Sequence, residues 1–276
     1  HIASDGKVKK QNVGIEKSFD TVLSGREGQK LVRFVAGGAA IPIAGYEKEP
    51  EHGKDVYTTL DLRMQDITET ALMRMMLQSE SLYGTAIVME TATGKIKAIA
   101  NLGRRPDGSY WEDDNYALRT TEPGSTIKLA TLLAVLEKGT SKISDQVEIG
   151  SAGKGMVGPK LVYDAERSPK PFLSVQECFS HSSNIGMSKL ALKAFGKKPT
   201  ELKDYLHRFQ MDTRSPIDLN NVPRPRMAPL NEKGSSLGNM LWMSFGYALQ
   251  VSPLHTLTLY NAVANEGKMM KPYLVS

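Results

Sequence analysis

A serine and a lysine three residues apart can make a nucleophile and its base. The chain offers that pairing three times: Ser4/Lys7, Ser125/Lys128 and Ser151/Lys154. Positions i and i+3 share a helix face, so the two side chains touch where a helix carries them. Ser4/Lys7 and Ser151/Lys154 lie in polar, glycine-containing stretches with no helical pattern. Ser125/Lys128 sits in EPGSTIK, residues 122–128, directly before the apolar run LATLLAVLEKG. A helix N-terminus there offers free backbone N–H groups and a positive dipole end, which suit a developing oxyanion. Lys128 is a base only when neutral, and burial beside Leu129 and Leu132 moves a lysine in that direction. Gly-Ser-Thr is equally good helix-capping chemistry, and taken alone the motif favours the cap.

A second cluster shifts that balance. Residues 181–187 read HSSNIGM, which places Ser182 and Asn184 at the start of another expected helix; Ser-x-Asn occurs nowhere else in the chain. Ser182 can relay a proton, and the Asn184 amide can hydrogen-bond both a lysine and a substrate carbonyl. A helix cap again fits this stretch on its own. The two motifs together, with helices between them, are more specific than either. Other candidates are weaker. Cys178, the only cysteine, lies in FLSVQECFSHSS at apolar spacing and reads as a buried small side chain. His1, His52, His181, His207 and His255 lack ligand spacing, so no metal is expected. No glycine-rich phosphate loop is present, and no cofactor is expected. Trp111 and Trp242 read as packing or cleft-lining residues.

The elements that must position these groups follow from periodicity. Residues 1–57 suggest a small β-rich or irregular module ending in the linker EPEHGKD, 49–55. From Thr58 the character changes. Asp61 can cap a helix running to about Ser79, in which Met64, Ile67, Ala71, Leu72 and Met75 recur at helical spacing. TAIVME (85–90) and KIKAIAN (95–101) flank a Gly-containing turn and read as an antiparallel hairpin. The Ser125 helix spans about 125–138 and ends at Gly139. Residues 140–170 form a long excursion with room for a short hairpin. Helices follow at about 173–180, 183–195 and 200–210, then an irregular stretch over 212–236, then helices near 237–245 and 253–266. This order implies an α+β fold with helices around an antiparallel sheet. Two strands cannot organise a domain of this size, so further strands are expected beyond Ser276.

Composition bounds the class. The chain has 276 residues, 40% of them hydrophobic and 24% charged, with a net charge of +5 from scattered basic residues. That is ordinary globular composition, and it does not favour nucleic-acid binding. One cysteine excludes an intrachain disulfide. No run reaches the roughly 18 apolar residues of a membrane span. The first residue is His, so a preceding segment is expected, and an anchor there is not excluded.

With these residues in hand, the sequence resembles the transpeptidase domain of class B penicillin-binding proteins. GIEKSFDTVLSGREG (14–28) is similar to a stretch of their N-terminal pedestal module, and VYTTLDLRMQ (56–65) to the entry of the transpeptidase domain. GTAIVMETATGKIKAIAN (84–101) resembles their first hairpin, EPGSTIK the nucleophile motif and HSSNIGMSKLA the second motif. FGYALQVSPLHTLTLYNAVANEGKMMKPYLV (245–275) resembles the segment before their third motif. There are two departures. His255 stands where the family usually has Gln, which implies altered packing. The third motif, Lys-[Thr/Ser]-Gly, is absent from all 276 residues and is expected on a strand after Ser276.

The resemblance implies a penicillin-binding-protein/β-lactamase-like fold, with residues 1–57 a pedestal remnant and linker and 58–276 the transpeptidase domain. It implies serine acyl transfer on D-Ala-D-Ala stem peptides of peptidoglycan. Ser125 would be the nucleophile, Lys128 its base, Ser182 the proton relay, and Asn184 the group orienting Lys128 and substrate. β-Lactams would acylate Ser125. The division-type role is favoured within the class. The domain would lie outside the cytoplasmic membrane, anchored by an N-terminal helix, beside membrane-anchored cell-wall synthesis partners including a glycosyltransferase. Two alternatives stay open: a D,D-carboxypeptidase or β-lactam-hydrolysing relative, and a non-catalytic cell-wall binding or sensor protein of the same fold.

Overall fold

The computed structural model describes residues 14–34, 37–38, 40–168, 170–230 and 236–276. The chain divides into two units: residues 1–59 with 218–221 and 273–276, and residues 60–217 with 222–272. In the first, α1 (Gly14–Ser18) and α2 (Asp20–Leu23) precede an antiparallel pair, β1 (Gln29–Phe34) and β2 (Ala40–Lys48). The two short helices fall where composition suggests strand or irregular chain. The last residues join this unit: Thr58 pairs with Val275, and Asp218 accepts from the N–H groups of Leu274 and Val275.

The second unit opens with α3 (Leu62–Ser79), capped as expected by Asp61, whose carboxylate accepts from the N–H groups of Arg63 and Met64. Its packed face differs from the apolar spacing. Thr68, Leu72 and Met76 are buried, whereas Met64, Ile67, Ala71 and Met75 are exposed. The helix carries apolar side chains around most of its girth, so periodicity alone does not select the side that meets the sheet.

That sheet is the hairpin of β3 (Tyr83–Met89) and β4 (Ile96–Arg104) plus β5 (Tyr110–Trp111), in the order β3-β4-β5. Gln65 on α3 supplements it: its amide accepts from Ile99 N–H (2.9 Å) and donates to Ile99 C=O (3.0 Å).

The nucleophile segment follows as a 3₁₀ turn, Gly124–Ile127, running into α4 (Lys128–Glu137). The excursion after α4 holds β6 (Gln146–Glu148), the hairpin β7 (Lys154–Val157)/β8 (Lys160–Tyr163), and β9 (Phe172–Ser174), which pairs with β6. Then come α5 (Val175–Ser180), α6 (Asn184–Phe195) and α7 (Thr200–Arg208). β10 (Arg226–Met227), α8 (Ser236–Met243), β11 (Leu249–Gln250) and α9 (Pro253–Ala264) complete the unit.

The main core lies among α4 to α8. Ala130, Val135, Ile185, Met187 and Met240 are essentially inaccessible to solvent. The α+β class is as expected, but strand content is higher than two. Eleven strands are present among the described residues, and all but four have two to four residues. Such short strands leave no alternation to read. Among the described residues no helix is long and apolar enough to cross a membrane.

Candidate active site

The nucleophile segment is held by backbone contacts together with the side chains of Glu122 and Tyr260. Thr121 and Val251 exchange two hydrogen bonds (3.1 and 3.0 Å), and Gly124 N–H donates to Gly246 C=O (3.2 Å). Glu122 accepts from Ala248 N–H (3.3 Å), and Tyr260 Oη donates to Thr126 C=O (3.1 Å). Gly246 lies at φ +112°, and a Cβ there would stand 2.0 Å from the Gly124 oxygen. Only glycine fits, because positive φ and van der Waals contact both exclude a side chain. The turn has no side-chain cap: its N-cap is Pro123, and Thr126 Oγ1 is spent on Pro123 C=O (2.8 Å). Ser125 therefore caps nothing, and its side chain is exposed.

Beneath Ser125 lies Lys128, 1% exposed and among the most buried side chains of the protein. Its Nζ meets four oxygens: Ser182 C=O at 2.5 Å, Asn184 Oδ1 at 2.7 Å, Ser182 Oγ at 2.9 Å and Ser125 Oγ at 3.1 Å. Burial pulls its pKa down to about 8, against an upward pull from the Asp164 carboxylate. A neutral amine is then accessible near physiological pH, and it can accept the Ser125 proton across 3.1 Å.

The second motif is fixed by different means. Ser182 links α5 to α6 in a left-handed conformation, φ +55°. The cap of α6 is its neighbour Ser183, whose Oγ accepts from Gly186 N–H (2.9 Å) and donates to Asp164 Oδ2 (2.8 Å). Asp164 Oδ1 accepts from Ile185 N–H (3.0 Å), and Tyr163 C=O accepts from Asn184 Nδ2 (2.7 Å). The Asn184 oxygen thus faces Lys128, one amide hydrogen is committed to Tyr163, and the other is left for a ligand.

All four residues singled out in the sequence, Ser125, Lys128, Ser182 and Asn184, meet at one point. Next to the nucleophile turn opens a cleft of about 560 Å³, lined by Thr85, Ile87, Pro123, Thr126, Leu257 and Tyr260 among others.

The other candidates among the described residues stay apart from it. Ser4/Lys7 lies outside the described residues, and Lys154 opens β7 with Ser151 in the loop before it, so no helix joins that pair. Cys178 is fully buried against Gly186, and burial pushes its thiol up to about 12. His255 is buried between Ser252 Oγ (2.7 Å) and Thr213 C=O (2.8 Å), a packing role. Trp242 packs with Phe245 and Tyr247, and Arg105 stacks over Trp111. No group of acidic, histidine and cysteine side chains suited to a metal occurs among the described residues.

Asp164, the Tyr163 carbonyl, Glu122 and Gly246 escaped the sequence reading. Each acts on a residue far along the chain, and even for Glu122, inside EPGSTIK, no local spacing points to its partner.

The chain resembles known proteins over most of its length. Residues 84–276 match the family model for the penicillin binding protein transpeptidase domain. The chain is 30% identical over 264 residues to the probable peptidoglycan D,D-transpeptidase PbpC of Pseudomonas aeruginosa, covering 93% of this chain and 45% of that protein. It is 26% identical to the peptidoglycan D,D-transpeptidase FtsI of Escherichia coli, covering 97% and 45%. The chain thus spans about half the length of these relatives. Penicillin-binding protein 2X of Streptococcus thermophilus superposes with a TM-score of 0.78 at 24% identity, over 96% of this chain and 39% of that one. The transpeptidase domain of Burkholderia pseudomallei penicillin-binding protein 3 gives 0.69 at 23% identity, over 79% and 61%.

Proposed function

The chain belongs to the penicillin-binding protein transpeptidase family, and from that premise we propose that it is the catalytic part of a peptidoglycan D,D-transpeptidase working by serine acyl transfer. The observation that carries the reading is the exposed Ser125 hydroxyl 3.1 Å above a buried lysine amine, which Ser182 and Asn184 also hold.

The chemistry follows from the positions. Ser125 Oγ attacks the carbonyl of the penultimate D-alanine of a stem peptide, and its proton passes to Lys128 Nζ. The Ser125 N–H, at the start of the turn, supplies one donor to the oxygen that gains charge. As the C–N bond breaks, Ser182 Oγ passes a proton from Lys128 to the departing D-alanine nitrogen. The free N–H of Asn184 orients the peptide. An amine from a neighbouring stem then attacks the Ser125 ester, returns a proton to the site and leaves the cross-linked product with a free Ser125. β-Lactams, as acyl-D-Ala-D-Ala mimics, acylate the same oxygen.

We assign the whole protein to septal cell-wall synthesis outside the cytoplasmic membrane, beside a glycosyltransferase that makes the strands it joins. Residues 58–276 are the catalytic domain and 1–57 part of a pedestal. Labelling of the full-length protein with a fluorescent penicillin tests the assignment. Stoichiometric labelling is expected for the wild type and none for Ser125→Ala; labelling that survives the substitution sinks it. Midcell localisation of a fluorescent fusion tests the septal role.

A further inference from the structure

A second cavity, of about 370 Å³, lies among the end of α7 and the loop after it, α9, and the segment that follows α9. That volume is within the range of small-molecule sites. None of its lining residues borders the cleft next to the nucleophile turn. α9 contributes to both, with His255 and Thr258 here and Thr256, Leu257 and Tyr260 there. The cavity is therefore distinct from the catalytic cleft, and the acyl-transfer chemistry has no use for it.

Its charge is one-sided. Arg208, Arg214 and Lys271 line it, and no carboxylate does among the described residues. Arg208 is committed, since it pairs with Glu137 and stacks over the Tyr205 ring. Arg214 and Lys271 have no ion-pair partner among the described residues. Asp212, two residues before Arg214, is taken by His207 at 2.8 Å. Between the cations the lining is largely apolar, with Phe209, Met269 and Met270. Like charges round an apolar hollow repel one another, and an anion there relieves the repulsion.

An unmet hydrogen bond points the same way. Ser215 lines the cavity, is 8% exposed, and its Oγ is buried without a hydrogen-bond partner. A hydroxyl buried in this way has given up water with nothing in return, and an acceptor on a ligand completes it. The neighbouring polar group has no such need. His255 bonds Thr213 C=O through Nε2 (2.8 Å) and Ser252 Oγ through Nδ1 (2.7 Å), and burial pulls its pKa down. Its bond to Thr213 ties the loop that carries Arg214 and Ser215 to α9.

We propose that this cavity binds an organic phosphate monoester. Arg214 and Lys271 hold the phosphate, Ser215 Oγ donates to it, and Phe209, Met269 and Met270 receive the apolar part. Two unpaired cations match a phosphate monoester, which carries close to two negative charges near neutral pH, better than a carboxylate with one. The Arg214 guanidinium can also bond two phosphate oxygens at once. The inference does not rest on the acyl-transfer reading.

Calorimetric titration of the full-length protein tests it with three probes: phenyl phosphate, the soluble lipid dihexanoyl phosphatidic acid, and inorganic phosphate. Saturable binding of at least one ester is expected, about tenfold or more tighter than inorganic phosphate because its apolar part is buried. The tighter of the two esters identifies the source as a soluble phosphate ester or a lipid headgroup. Combining Arg214→Ala with Lys271→Ala is expected to weaken that binding about tenfold or more, and Ser215→Ala about threefold. The melting temperature of Ser215→Ala is expected not to fall, because its hydroxyl has no partner to lose. Three results overturn the proposal: neither ester binds, inorganic phosphate binds as tightly as the esters, or the double variant binds like the wild type. So does a Ser215→Ala protein that melts lower at unchanged affinity, since its hydroxyl then serves the fold. This variant keeps the test decisive if the double variant fails to fold.

Discussion

Two helix starts face each other across Lys128, and similar sequences build them by opposite means. At Gly124–Lys128 the backbone does most of the holding: Gly246 and Val251 bond the segment's main chain, Tyr260 Oη donates to the Thr126 carbonyl, and no side chain caps the turn. At Ser182–Asn184 side chains do it: Ser183 caps, Asp164 clamps and Asn184 reaches Tyr163. The lesson concerns division of labour. A serine at a helix start is usually consumed by capping. Here Ser125 and Ser182 both keep their hydroxyls for Lys128, because in one case backbone contacts replace the cap and in the other the adjacent serine takes it.

The largest expected effect comes from the group both starts share. Lys128→Ala is expected to lower the rate of penicillin acylation by about 10²–10⁴-fold, the range of a positioned general base. In the wild type that rate should rise with pH through about 8, since the acylating form is the neutral amine. A flat profile from pH 6 to 9 would remove Lys128 from the base role. The same group has a stability signature of definite sign. Its folded pKa lies below the ordinary lysine value of 10.5, so between about 8 and 10.5 the unfolded chain binds more protons and stability contributed by Lys128 grows as pH rises.

Next in size is the backbone grip. Gly246→Ala places a Cβ against Gly124 at positive φ, and is expected to cost about 3 kcal/mol of stability and most of the acylation. Thermal melting together with labelling reads both, and a neutral outcome would mean that the Gly124 turn is held by something other than Gly246.

The smallest effect divides the two starts most sharply. Ser183→Ala removes a cap and is expected to cost about 1–2 kcal/mol in denaturant unfolding. Ser125→Ala removes no cap and should shift stability by less than about 0.5 kcal/mol. Equal costs for the two would collapse the contrast.

How much of this was legible varies by element. Asp61 before an apolar run announced α3, and the Gly-containing turn at 91–94 announced the β3–β4 hairpin, because caps and turns are local chemistry. The packed face of α3 was not legible: Met64, Ile67 and Met75 are as apolar as Leu72 and Met76, and only contact with the sheet distinguishes them. The short hairpin expected within 140–170 is there as β7/β8, whereas the pairing of β6 with β9 escaped for want of length.

The sequence by itself determined which residues were available for chemistry. Ser-x-x-Lys before an apolar helix and a single Ser-x-Asn are patterns of type and spacing, and each half is encoded within a few residues. Only the tertiary structure decided that the two halves meet on one amine, that Lys128 is buried and its pKa drawn down, and that Ser183 rather than Ser182 caps α6. Those outcomes depend on the Gly246 carbonyl, the Tyr163 carbonyl and the Asp164 carboxylate. The energy of such contacts comes from distance and desolvation, which chain folding fixes and local spacing does not record.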